Sequence, residues 1–247
     1  MKKVTYLIAL FTSILLTQQA TAQLWFEAGG RAMYGATALF ESNISDDDEH
    51  TMNINTGLSY GALFNLNFSD RHGISVEGMF ANSEQSYEFD GIAGVVGSGT
   101  NTIEWNSTDL YLMYRALSQG AYFEIGPKLS LVNGVDQNTN GFLLTDDAMD
   151  VSDAYTDQFL SGVIGFGMYI AGSRYFTLSI GFRVEYAFQN FTSDQGADSN
   201  FPLPYDNDFM TENLRNINAY GGIELKFPIG GIAKAQCGQR RFIFGGG

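Results

Sequence analysis

One segment constrains this chain more than any other. In residues 177–188, TLSIGFRVEYAF, Leu178, Ile180, Phe182, Val184, Tyr186 and Phe188 fall on one parity, and Thr177, Ser179, Gly181, Arg183, Glu185 and Ala187 on the other. Alternation at a period of two is the pattern of a β-strand with an apolar and a polar face. The polar face carries an arginine and a glutamate, so it meets either bulk water or the inside of something. Seven other segments repeat the pattern, beginning near Trp25, Tyr60, Ile74, Leu110, Phe123, Leu160 and Ile217. None shows a 3.6-residue periodicity, so few helices are expected.

The connections decide between the two readings of the polar face. Three are tight: Ser69-Asp70-Arg71-His72-Gly73, Leu117-Ser118-Gln119-Gly120 and Ala171-Gly172-Ser173-Arg174. Four are long and polar, at roughly 41–55, 84–103, 133–157 and 189–213. Short and long alternate, as they do in an up-and-down barrel with short periplasmic turns and long external loops. Of the 27 acidic residues, all but Glu27, Asp70, Glu77, Asp109, Glu124, Glu185 and Glu224 lie in or beside the long connections.

On the strand cores every charge keeps to one parity: Glu27 and Arg31, Glu77, Asp109 and Arg115, Glu124 and Lys128, Arg183 and Glu185, Glu224 and Lys226. The opposite parity is free of charge and long enough to cross a hydrocarbon layer as tilted strands. Lipid tolerates no open sheet edge, so the sheet must close. The expected fold is all-β, an eight-stranded antiparallel up-and-down transmembrane β-barrel of the outer-membrane type. Its lumen is about wide enough for side chains to fill. Six acids and five bases in so narrow a space should pair, which implies a plugged lumen with an ionic filling. Tyr34, Tyr114 and Tyr186 near strand ends suit an interfacial girdle. The alternative is a periplasmic lipocalin-like barrel with the apolar parity inside. Four long acidic loops at one end and a charge-free parity speak against it.

The ends of the chain fit export. Lys2 and Lys3 precede an apolar stretch, Tyr6 to Leu16, and Ala20-Thr21-Ala22 forms a small-residue cleavage site, so residues 1–22 read as a cleaved signal peptide. Residues 23–229 form the expected barrel, and residues 230–247 a basic periplasmic tail bearing Lys234, Arg240 and Arg241. The tail either extends freely or docks on an acidic partner or the acidic lumen. Loss of Lys2 and Lys3 takes the formal net charge from −14 to −16, which excludes nucleic acid as a partner. Cys237 is the single cysteine, so no intrachain disulfide can form.

Thr108-Asp109-Leu110-Tyr111-Leu112-Met113-Tyr114-Arg115, a short turn, and Tyr122-Phe123-Glu124-Ile125-Gly126-Pro127-Lys128-Leu129-Ser130 together resemble the central hairpin of the PorT-like outer-membrane β-barrel family of Bacteroidota. Ser179 to Phe188 and Gly222 to Phe227 resemble that family's closing strands. The resemblance implies an eight-stranded outer-membrane barrel and, for a few members, a role in type IX secretion and gliding. Tyr220-Gly221-Gly222-Ile223-Glu224-Leu225-Lys226-Phe227 also resembles the β-signal read by the barrel-assembly machinery, although here the chain continues past it.

Catalytic chemistry is not indicated. His50 and His72 fall in a long loop and a short turn, at opposite ends of the expected barrel, and one Cys with two separated His makes no transition-metal set. No cofactor is expected. Asp46, Asp47, Asp48, Glu49, Asp146 and Asp147 are candidate loop contacts for divalent cations bridging to lipopolysaccharide, without EF-hand spacing. The glycine-rich run Gly91–Gly99 lacks the lysine and setting of a phosphate loop. The expectation is a non-enzymatic outer-membrane protein. Its partners would be lipid, lipopolysaccharide, the assembly machinery during insertion, and a protein in a secretion, gliding or assembly complex. The alternative is a narrow channel or small-ligand binder using the lumen.

Overall fold

The computed structural model describes residues 24–41, 43–44, 49–90, 98–141, 149–204, 213–234 and 240–244. Among these residues eleven strands follow one another: β1 (Leu24–Phe40), β2 (His50–Met52), β3 (Asn55–Ser69), β4 (His72–Phe89), β5 (Gly99–Ser118), β6 (Ala121–Gly141), β7 (Met149–Asp150), β8 (Gln158–Gly172), β9 (Thr177–Ala187), β10 (Arg215–Lys234) and β11 (Arg240–Phe244). Eight of them pair antiparallel in the order β1-β3-β4-β5-β6-β8-β9-β10, and β10 pairs with β1. The sheet is therefore a closed eight-stranded barrel. Following the pairing once around from Phe26 through Leu66, Ile74, Tyr114, Ile125, Ile164, Val184 and Ala219 returns to β1 at Ala36, ten residues further on. That stagger corresponds to strands tilted by about 40°.

The apolar parity faces outward. Phe80, Phe166 and Ile223 are 58%, 60% and 57% exposed, and the outward row of β9, Ile180, Phe182, Val184 and Tyr186, is exposed throughout. A belt of this kind around a closed barrel cannot rest in water, and it places the barrel in the outer membrane. Tyr34, Tyr114 and Tyr186 lie on this outer face. No helix among the described residues is long and apolar enough to cross a membrane; the crossing is made by strands.

The tight connections are as short as their residues suggest: Asp70-Arg71 joins β3 to β4, and Gln119-Gly120 joins β5 to β6, with Gly120 at a φ of 86° that favours glycine. The long connections are shorter than expected. Within the stretch 84–103, β4 runs to Phe89 and β5 starts at Gly99. Within 133–157, β6 runs to Gly141 and β7 pairs back onto it. In 41–55, β2 pairs with β4. These upper segments are strands whose polarity is reversed. On β5 the inward residues Ile103 and Trp105 are apolar and the outward Glu104 and Asn106 polar, whereas lower down Asp109 and Arg115 face in and Leu110 and Leu112 face out. The register of β5 with β6 shifts between Asn106 and Ser107, at the change of polarity. The last barrel strand also outruns its expected end at residue 229. Residues 230–234 continue β10: Gly230, Gly231 and Ile232 stand opposite β1 on one side, and all five stand opposite β11 on the other.

Candidate functional site: the filled lumen

Inward positions of the barrel strands bring the charges into a narrow lumen. Arg31 of β1, Arg115 of β5 and Arg183 of β9 meet Glu77 of β4, Glu124 of β6 and Glu224 of β10, all buried. Arg183 grips Glu77 with two parallel bonds of 2.8 Å, Nη1 to Oε2 and Nη2 to Oε1, and its Nε donates to Glu124 Oε1 at 2.5 Å. Arg31 Nη1 lies 3.3 Å from Glu77 Oε2 and 3.2 Å from Glu124 Oε1, and its Nη2 donates to Glu224. Arg115 spans Glu224 Oε1 at 3.1 Å and Glu124 Oε2 at 3.4 Å. Each guanidinium thus touches two or three carboxylates, the planar fork of arginine matching the carboxylate pair. Toward the short turns, Lys226 Nζ reaches Glu224 at 3.0 Å and Glu27 at 3.5 Å, and Asn65 and Asn67 also donate to Glu27. Toward the long loops, Lys128 Nζ lies 2.6 Å from Glu185 and 3.4 Å from Asp109.

Aromatic rings fill the space between these ions. Tyr122 carries the Arg115 guanidinium 4.0 Å above its ring. A Cβ on Gly167 would fall 2.4 Å from Tyr122 Cζ, and one on Gly181 2.8 Å from its hydroxyl, so both glycines let the ring lie flat on the inner wall. The cavity among Arg31, Met33, Tyr122, Glu124, Arg183 and Glu224 measures about 10 Å³, room for about one water.

Above the ions the lumen closes by different means. Leu39, Tyr87, Ile103, Trp105, Val135 and Phe159 point inward from the strands and pack against Tyr155, Phe191, Leu203 and Leu214 of the connections. Ring centroids of Trp105 and Tyr155 lie 5.4 and 5.2 Å from that of Phe191, and Phe159 meets it edge-on at 5.5 Å. A short helix, α1 (Asp194–Asp198), capped by Ser193 Oγ, holds this segment across the mouth. Asn101 and Gln137 donate from the wall to the Pro202 carbonyl at 2.8 and 3.2 Å. Burial pushes the Tyr155 hydroxyl far above its ordinary range. This apolar cap was not expected from the sequence. Its signal was there, in Tyr87, Phe89 and Ile103 recurring at even spacing inside a stretch read as loop.

Outside, above the belt, the same strands carry a row of acids. Glu84 stands opposite Glu104, Glu104 opposite Asp136, and Asp136 opposite Asp150, across β4 to β7. Ser152 donates to Asp150 Oδ1 from its hydroxyl at 2.6 Å and its backbone N–H at 3.0 Å, and these bonds hold the Asp150 carboxyl below its ordinary range.

The other candidate residues are not brought together. Of the loop acids, Glu49 is exposed beside β2, while Asp46, Asp47, Asp48, Asp146 and Asp147 lie outside the described residues. Among the described residues no group of three His, Cys, Asp or Glu could hold a metal. His72 donates to or accepts from the Tyr114 hydroxyl at 2.6 Å at one end of β4, and His50 pairs with Phe89 at the other, so the two cannot share a site. Lys234 stands opposite Arg240 and Ala233 opposite Arg241 where β10 meets β11. The signal segment 1–22 and Cys237 lie outside the described residues.

No family model matches the chain, and no curated protein matches it. Among solved structures it is similar to Neisserial surface protein A, with a TM-score of 0.41 and 13% identity over 82% of this chain and 97% of that one. OprG from Pseudomonas aeruginosa gives 0.40 and 12% over 84% and 96%. The attachment invasion locus protein Ail of Yersinia pestis, in complex with the heparin analogue sucrose octasulfate, gives 0.39 and 8% over 82% and 99%. These likenesses are distant; the architecture described above stands on the strand pairing itself.

Proposed function

We propose that this chain is a closed, non-conducting barrel of the outer membrane with no catalytic chemistry, exported by the signal segment 1–22 and acting by engaging a partner at its exposed ends. One observation supports this above all: the lumen is crossed twice in series, by the arginine–glutamate layer and by the apolar cap centred on Phe191. A permeant solute would have to break a buried ion network and then an aromatic core. The surfaces left for function are the belt, which lipid covers, the outer rim with its acid row, and the β10–β11 hairpin with Lys234, Arg240 and Arg241 on the short-turn side. The resemblance of Thr108–Arg115 and Tyr122–Ser130 to the PorT-like family adds a secretion, gliding or assembly complex as the setting. Planar-bilayer recording tests the closure. Purified protein is expected to give no steady conductance. Steady channels abolished by Glu124→Gln and Glu185→Gln would overturn it in favour of a narrow cation path. Affinity capture of the tagged barrel from outer membranes tests the partner: a stoichiometric companion supports the reading, and an isolated barrel contradicts it.

A further inference from the structure

The buried charges do not cancel everywhere. The three arginines of the ion layer meet three glutamates, and Lys226 meets Glu27, so these groups sum to zero. Lys128 is different: among the described residues it is the one base that pairs with Asp109 and Glu185, so two carboxylates share it, and all three side chains are at most 3% exposed. Among the described residues every other hydrogen-bond partner of the two carboxylates is neutral. Ser107 Oγ donates to Asp109 at 2.9 Å, the Tyr111 hydroxyl to Glu185 at 2.9 Å, and Asn218 Nδ2 to Glu185 at 3.2 Å. The nearby Arg183 guanidinium lies 5.0 Å above the Tyr111 ring and is taken up by Glu77 and Glu124. With both carboxyls ionised, one negative charge is buried here without a matching base, at a cost proteins rarely bear.

A second, independent feature surrounds the same cluster. Ser130 is the cross-strand neighbour of Asp109, Ser161 that of Lys128, and Asn218 that of Glu185. Neighbours of this kind share a face, here the inward one. Ser130 and Ser161 are 0% and 1% exposed and Asn218 4%. Ser130 Oγ, Ser161 Oγ and Asn218 Oδ1 are buried with no hydrogen-bond partner among the described residues. Folded proteins partner nearly all such atoms.

We propose that the lumen binds one small monovalent cation of the sodium class between the Asp109 carboxylate and the bare oxygens of Ser130, Ser161 and Asn218. The charge deficit is a single unit, which selects a monovalent over a divalent ion. The donors are all oxygen, which selects a hard ion. Water alone would satisfy the oxygens and leave the charge.

The full barrel, unfolded in urea and refolded into detergent micelles with sodium, potassium or choline chloride at equal ionic strength, tests this. Refolding lets the ion enter before the lumen closes. The melting temperature is expected to be higher in sodium than in choline by roughly 3 °C or more. Asp109→Asn should erase that difference, and Glu104→Gln, which removes a charge from the outer surface, should keep it. Ser130→Ala retains the charge while removing one ligand, and should reduce the sodium effect even if Asp109→Asn fails to fold. Equal melting in sodium and choline for the wild-type barrel would overturn the proposal, as would a sodium effect unchanged in Ser130→Ala.

Discussion

Below Ser107 the inward side of β5 carries Asp109 and Arg115; above it the same side carries Trp105 and Ile103. One strand thus contributes to an ionic filling in its lower half and to an apolar core in its upper half, and the outward side changes in the opposite sense. The cause is the solvent outside. Where the wall meets lipid, burying apolar side chains inward removes nothing from water, so the lumen is free to hold polar groups. Where the wall rises above the membrane, water returns outside, and the interior becomes an ordinary hydrophobic core. The inside of this barrel is dictated by what lies beyond its wall.

Three substitutions sharpen or break that contrast. Glu124 touches Arg31, Arg115 and Arg183. Glu124→Gln leaves three guanidinium groups short of a partner and is expected to cost about 3–5 kcal/mol, read from urea titration of folding into lipid vesicles. A loss below about 1 kcal/mol would mean that the lower half is wet, and the contrast would fail. In the upper half, Phe191→Ala removes the ring on which Trp105, Tyr155 and Phe159 converge. A loss of about 3 kcal/mol is expected, confined to the cap. Protease should then cut within 189–204 while the barrel keeps its resistance to unfolding in dodecyl sulfate. Simultaneous collapse of both would show that the halves form one cooperative unit. The smallest effect belongs to the outer acid row. Glu104 faces Glu84 on one side and Asp136 on the other, so Glu104→Gln should stabilise by roughly 0.2–1 kcal/mol. That gain should fade in high salt, as repulsion between exposed charges does.

The same contrast explains what could be read in the sequence. In the belt the parity rule works: residues such as Ile180, Phe182 and Val184 must be apolar without interruption, while Arg183 and Glu185 between them cannot face lipid. Above the belt the rule inverts. Glu84, Glu88, Glu104 and Asn106 face water there and make the stretch look like loop, hiding Tyr87, Phe89, Ile103 and Trp105 on the other parity. Which charges meet was not legible either. Arg31 finds Glu124 and Glu224, 93 and 193 residues away, because a ten-residue stagger brings those positions to one level of the tube. Parity tells which residues enter the lumen, and only the closed register tells whom they meet. The bare oxygens of Ser130 and Ser161 are invisible in sequence for the same reason.

The closing ladder between β1 and β10 joins Arg31 to Glu224 and Ala36 to Ala219. Its two strands are the first and last of the wall, so no part of this seam can form until almost the whole chain has been made. Until then the molecule is an open sheet with two sticky margins, and its greasy face and its ions are both unsatisfied. Assembly is therefore a problem of timing as much as of stability.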